Sequence, residues 1–202
     1  MSHQTITYST LATTLWPGDS KARTWRIPLL VLIGVLALTV SAKVQIPFYP
    51  VPMTMQTLVV LLTGIAFGTR LGVATVLIYL GVGALGLPVF AGTPEKGVGL
   101  AYMLGPTGGY LAGFVLAAAT CGWLAERGWD RRPATTAVAM LAGNALIYLP
   151  GLLWLGTVVG WDKPVLQWGL TPFLLGDVAK LALAAGLVPL VWKAIAPQDD
   201  QP

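Results

Sequence analysis

Between residues 27 and 195 the chain is a succession of long apolar runs, broken by short basic stretches or by Gly- and Pro-rich ones. A hydrocarbon core about 30 Å thick takes roughly 20 apolar residues in a helix, with about 17–25 the usual range. Inside lipid the backbone must satisfy its own hydrogen bonds, which makes such runs helical. Residues 27–46, 55–67, 71–87, 109–125, 134–159 and 170–195 are predicted as six helices. Pro47, Pro50 and Pro52 end the first, Gly68-Thr69-Arg70 turns the second into the third, and Pro88 stops the third. Only 10% of residues are charged, against about 25% in soluble domains. The fold class predicted is an all-α integral membrane protein, a compact bundle of six transmembrane helices. Residues 1–26 read as an N-terminal tail, 27–195 as the membrane domain and 196–202 as a short acidic tail.

An even number of helices puts both termini on one side. Lys21, Arg23, Arg26, Arg70, Arg127, Arg131, Arg132 and Lys193 all fall on that side, and the opposite loops hold only Lys96 and Lys163. The positive-inside rule makes the termini cytoplasmic. No secretory signal is expected, because no apolar core precedes Ile27. Trp16, Trp25, Trp129, Trp161 and Trp168 stand near helix ends, where amphipathic rings settle at the interface. Inner connections are short and basic, whereas outer ones are long, irregular and rich in Gly, Pro and aromatics. That asymmetry points to a ligand pocket at the outer face.

The outer stretch GPTGGYLAGF at 105–114 is a tight glycine-lined loop feeding an apolar helix. Gly108 could let backbone approach a ligand, with helix-start N–H groups nearby, or the loop could simply turn the chain. Charges inside the apolar runs are costly and mark candidate function. Asp177 and Lys180, at i and i+3, share a helix face, either as a self-neutralising ion pair or as a ligand site. Asn144 and Tyr148 share a face of the fifth helix; Asn can read an amide or urea group, or bridge helices. Gln56 sits at the top of a helix between Thr54 and Thr57, which read as caps. Tyr110 reads as a pocket wall or an interface ring, and Lys43 as a snorkelling residue. Gly34, Ala37 and Ser41 make a small-residue array on the first helix, suited to close approach of another helix, inside the bundle or from a partner.

Other chemistry lacks its residues. The chain has one cysteine, Cys121, and one histidine, His3, so no metal set or disulfide is expected. It has no phosphate-binding loop for ATP and no nucleophile elbow. A net charge of +4 is too small and dispersed for nucleic acid. Two rivals to substrate capture remain: a proton-coupled carrier with Asp177 as relay, and a membrane-embedded enzyme, which has no nucleophile to use.

Four stretches together, VPMTMQT at 51–57, LIYLGVGALGLPVFAG at 77–92, GPTGGYLAGF at 105–114 and GDVAK at 176–180, resemble the BioY family. These are the biotin-specific S components of energy-coupling-factor (ECF) transporters, and the resemblance covers about residues 27–195. It implies a six-helix bundle with an outer pocket, biotin as the transported ligand, and no covalently bound cofactor. It also implies a transmembrane coupling subunit and two ATPase subunits as partners, in a bacterial cell membrane. In that family small residues at i, i+4 on the first helix meet the coupling subunit; here they are Ala37 and Ser41. For biotin, Asn144, Asp177 and Gln56 would face the ureido ring or carboxylate. Phe90, Tyr110 and Tyr148 would form the wall, with Gly108 in the loop beside them, and Lys180 would supply the cation.

Overall fold

The computed structural model describes residues 8–17 and 20–195; His3 and the 196–202 tail lie outside them. A short helix, α1 (Leu11–Leu15), precedes the first long one, α2 (Ser20–Lys43). After α2 the chain forms a small antiparallel ladder, β1 (Gln45–Ile46) with β2 (Met53–Thr54), around the prolines that end the helix. Then come α3 (Gln56–Ala84), α4 (Gly99–Met103), α5 (Gly108–Ala125), α6 (Pro133–Val159), α7 (Val165–Gly169) and α8 (Thr171–Ile195). Five helical stretches among the described residues are long and apolar enough to cross a membrane.

One of the five, α3, is a hairpin. Gly68 adopts φ 77° and ψ 178°, a conformation open to glycine and closed to L side chains. Gln56 Nε2 donates to Tyr79 Oη at 2.6 Å although the two are 23 positions apart; in a straight helix they would stand about 34 Å apart. Residues 56–67 and 69–84 therefore run back along each other, as the Gly68-Thr69-Arg70 break predicts. Glu126 holds the turn from the end of α5: its carboxylate accepts from Thr69 N at 2.8 Å and from Thr69 Oγ1 at 3.0 Å, an anion at a helix start.

Helix α5 is the centre of the bundle, between α3 and α6. Its glycines and alanines permit close approach on both sides. A Cβ on Gly64 of α3 would lie 2.5 Å from the Ala118 carbonyl, and one on Gly113 would lie 2.7 Å from Ile147 Cα of α6. Close backbone packing replaces the hydrophobic force that lipid does not supply. Cys121 is buried in the same seam.

The ends of the molecule depart from the predicted boundaries. Helix α2 starts ahead of Ile27 and stops at Lys43, with 45–46 in the ladder. No structural boundary falls at residue 26. Leu11 and Ala12 are buried, Tyr8 N donates to Glu126 O, and Arg131 Nη2 and Arg26 Nη2 donate to Ser9 O and Ala12 O. The described part of the N-terminal tail thus straps the end of the bundle that carries Glu126 and Arg131. Lys43 does not merely snorkel: its Nζ donates to Phe90 O, Thr93 O and Thr93 Oγ1 at 2.8–2.9 Å, pinning the outer loop.

At the strapped end Asp130, 1% exposed, accepts from Trp192 Nε1 at 2.6 Å. Arg131 stacks over that indole and lies 3.5 Å from the carboxylate. Burial lifts the Asp130 carboxyl to about 6, against the opposing pull of Trp192 and Arg131. The folded state therefore holds the proton more tightly than the unfolded chain. That contribution is fully present below about pH 4 and is lost as pH rises through about 6, amounting to about 3 kcal/mol. In thermal melts, wild type should lose stability between pH 4 and 7 relative to Asp130→Asn. Parallel profiles would show that Asp130 is not the group responsible.

Candidate functional site

At the end of the bundle away from the strap, the start of α3, the α4–α5 junction, α6 and α8 enclose a cavity of about 50 Å³. Pro52 and Thr54, at the β1–β2 hairpin, close its side. The wall is aromatic. The rings of Tyr110 and Tyr148 meet edge to face at 6.2 Å, and Phe173 lies 6.4 Å from Tyr148. Tyr110 Oη is fixed by donation to Gly169 O at 2.8 Å.

The polar edge is an ionic cluster from four elements, β2, α3, α6 and α8. Lys180 Nζ donates to Asp177 Oδ1 at 3.2 Å, Thr54 O at 2.8 Å and Thr57 Oγ1 at 2.9 Å. All three ammonium hydrogens are thereby used. Tyr148 donates a short hydrogen bond to Asp177 Oδ2. The side chains of Asp177 and Lys180 are 8% and 11% exposed. A pair so buried is costly to hold unless its remaining lone pairs and protons are satisfied, and here neighbouring elements satisfy them. The cluster can present an acceptor, a cation and a phenol at one place, provided a ligand displaces one of the present partners.

The sequence-predicted residues divide. Gln56, Tyr110, Tyr148, Asp177 and Lys180 all line the cavity. Gln56 is oriented by Tyr79, whose hydroxyl in turn donates to Val89 O at 3.0 Å. Phe90 does not line it: the ring is fully buried, stacked on Tyr102 at 4.9 Å and edge-on to Tyr79 at 5.5 Å. It is the wedge behind Tyr102, which itself faces the cavity. Gly108 does not line it either. The space of its missing side chain is taken by the Met103 carbonyl and the Trp154 indole, so it serves the close packing of α5, and Thr107 of the same loop faces the cavity instead. Asn144, one helical turn from Tyr148, is buried and off the lining, and its Oδ1 has no partner among the described residues.

Sequence reasoning took Thr54 and Thr57 as caps. Thr54 Oγ1 does accept from Gln56 N at 3.2 Å, but both threonines also anchor Lys180, a contact across 126 and 123 positions that no local spacing reveals. Phe173 was missed although a signal existed: Phe173, Asp177 and Lys180 stand at i, i+4 and i+7 on one face of α8.

The small-residue array on α2 is corrected as well. A Cβ on Gly34 would meet Thr75 Cγ2 at 2.5 Å. Ser41 is buried and donates to Leu38 O at 2.9 Å. Gly34 therefore packs on α3. Ala37, turned about 60° from Gly34 on a helix, is exposed among Ile33, Leu36 and Val40. Only Ala37 of the three is open to an external helix.

A model of the family described as the BioY family matches residues 12–197. The probable biotin transporter BioY of Pyrococcus horikoshii is 39% identical over 155 residues, covering 77% of this chain and 89% of that protein. The biotin transporter BioY of Thermotoga maritima is 38% identical over 148 residues, covering 73% and 85%. In fold, the chain is similar to the crystal structure of the S-component for biotin from an ECF-type ABC transporter, with a TM-score of 0.70 at 21% identity, over 87% of this chain and 95% of that one.

Proposed function

The chain belongs to the BioY family, and from that membership we propose that it captures biotin at the outer cavity and passes it inward, driven by ATP that partner subunits hydrolyse. The observation that supports this reading is the meeting of Asp177, Lys180 and Tyr148 with an aromatic wall. Biotin has a neutral ureido ring, an apolar sulfur ring and an anionic chain. The cavity offers hydrogen-bonding groups, aromatic surface and a cation in matching kind.

The volume adds a condition. About 50 Å³ holds a water or two, whereas small-molecule pockets measure about 300–1,000 Å³. Binding must therefore move the wall. The β1–β2 ladder belongs to no helix, and its Thr54 carbonyl is one of the groups on Lys180. Release of that contact would free a donor for the ligand in the same motion. The orientation follows the charge bias: termini and basic connections cytoplasmic, cavity outward, in the plasma membrane.

The first test is calorimetry of the purified chain with biotin; heat-silent titration at millimolar concentrations would refute the reading. The partner claim is tested separately at Ala37. It stands on the lipid-facing side of α2, so Ala37→Trp leaves the core intact while holding a helical partner away. Biotin binding should persist, ATP-driven uptake should fall at least tenfold, and the coupling subunit should no longer co-purify. An unchanged ratio of uptake to bound biotin would place the partner elsewhere.

A further inference from the structure

A second cavity, about 900 Å³, opens at the strapped end of the bundle, far from the ionic cluster. It lies between the N-terminal strap, the start of α2 and the Gly68 turn of α3. Its lining is of two kinds: Arg26, Arg70 and Glu126 with the hydroxyls of Ser9 and Thr13, and the apolar Leu30, Phe67, Leu71 and Ala74. The division is regular: Arg26 and Leu30 stand at i and i+4 on α2, and Arg70 and Ala74 at i and i+4 on α3. Each helix thus shows the groove a guanidinium and, one turn deeper, an apolar side chain.

Among the described residues neither Arg26 nor Arg70 forms an ion pair. Arg26 gives one N–H to Ala12 O, while its Nε is buried with no acceptor among the described residues. The carboxylate on the lining, Glu126, already accepts from Thr69 with both oxygens. The end bearing the arginines is also the end where Arg127, Arg131, Arg132 and Lys193 gather. By charge bias this is the cytoplasmic face, whose leaflet carries the anionic lipids. Outside the described residues, 1–7 (MSHQTIT) hold no carboxylate, and the chain's remaining ones are Asp19, Asp199 and Asp200.

We propose that this groove is a binding site for one anionic phospholipid, its headgroup between Arg26 and Arg70 and an acyl chain along Leu30, Leu71 and Ala74. The lipid would join the strap, α2 and the α3 turn. The site is independent of what the outer cavity binds.

The test is native mass spectrometry of the detergent-purified chain with dioleoylphosphatidylglycerol and dioleoylphosphatidylcholine, which share their chains. One phosphatidylglycerol should be retained per protein, at least tenfold over phosphatidylcholine. Arg70→Gln, an exposed position, should reduce that preference at least fivefold while the lipid-free melting temperature stays put. Leu30→Trp, which enlarges the apolar lining without touching a charge, should displace the lipid as well. Equal retention of the two lipids would overturn the proposal. So would wild-type preference in both variants, displacement by millimolar inorganic phosphate, or a severalfold gain in lipid binding on deleting residues 2–7, which would mean that the chain's own terminus fills the groove.

Discussion

Asp177→Ala is expected to weaken biotin binding at least a hundredfold and also to lower stability. The carboxylate is buried and holds both Lys180 and Tyr148. Removing it leaves the ammonium in an apolar bundle with two neutral acceptors and no counter-charge. Stranding one partner of a buried pair costs about 3–5 kcal/mol, and each 1.4 kcal/mol is a factor of ten in affinity. The two losses can be separated. In Asp177→Ala/Lys180→Met no charge remains to be stranded, and replacing a buried pair by apolar groups is often neutral for stability. The double variant should therefore melt near wild type yet still fail to bind biotin by calorimetry. If it recovers both stability and affinity, the pair is structural only, and the ligand is read elsewhere in the cavity. Lys180→Ala alone should behave as Asp177→Ala does, since Tyr148 by itself cannot neutralise the remaining carboxylate.

That pair was legible in the sequence because an ionisable residue within an apolar helix has few affordable explanations, and two of them on one face have fewer. The six apolar runs were legible for a related reason: lipid tolerates no unsatisfied backbone, so length and hydropathy nearly fix the element. What could not be read is which way a small or aromatic residue faces. Gly34, Ala37 and Ser41 look alike in spacing, yet Gly34 packs on α3, Ser41 is buried and Ala37 is exposed. Phe90 and Tyr102 are both aromatics of the same outer loop, and only their stacking order decides that Tyr102 reaches the cavity. The Lys180 acceptors were hidden because they arise when the hairpin folds back on α8, a contact between distant positions. Hydropathy in a membrane helix carries little facing information, since lipid-exposed and buried surfaces are both apolar.

Glycines show the same limit, and they yield the second large effect: Gly113→Leu is expected to cost about 3 kcal/mol or more and to abolish binding with it. The GPTGGYLAGF stretch marks itself as special in sequence, but its glycines serve close helix packing. A Cβ on Gly113 would stand 2.7 Å from Ile147 Cα and 2.8 Å from the carbonyls of Ile147 and Leu146. These are backbone atoms of α6, which cannot swing aside as a side chain would. The helices must separate, at the upper end of the usual overpacking cost of about 1–3 kcal/mol. Separation also parts Tyr110 on α5 from Tyr148 on α6, whose rings now meet at 6.2 Å, so the aromatic wall opens. Gly81 on the outer arm of α3 is the matched control, because a side chain there would meet nothing within 4 Å. Gly81→Leu should be neutral or stabilising by up to about 1 kcal/mol, the helix-propensity gain. Thermal melts in detergent with biotin calorimetry decide it: if Gly113→Leu melts and binds like Gly81→Leu, α5 and α6 are not packed through backbone, and the scaffold that positions Tyr110 against Tyr148 is wrong.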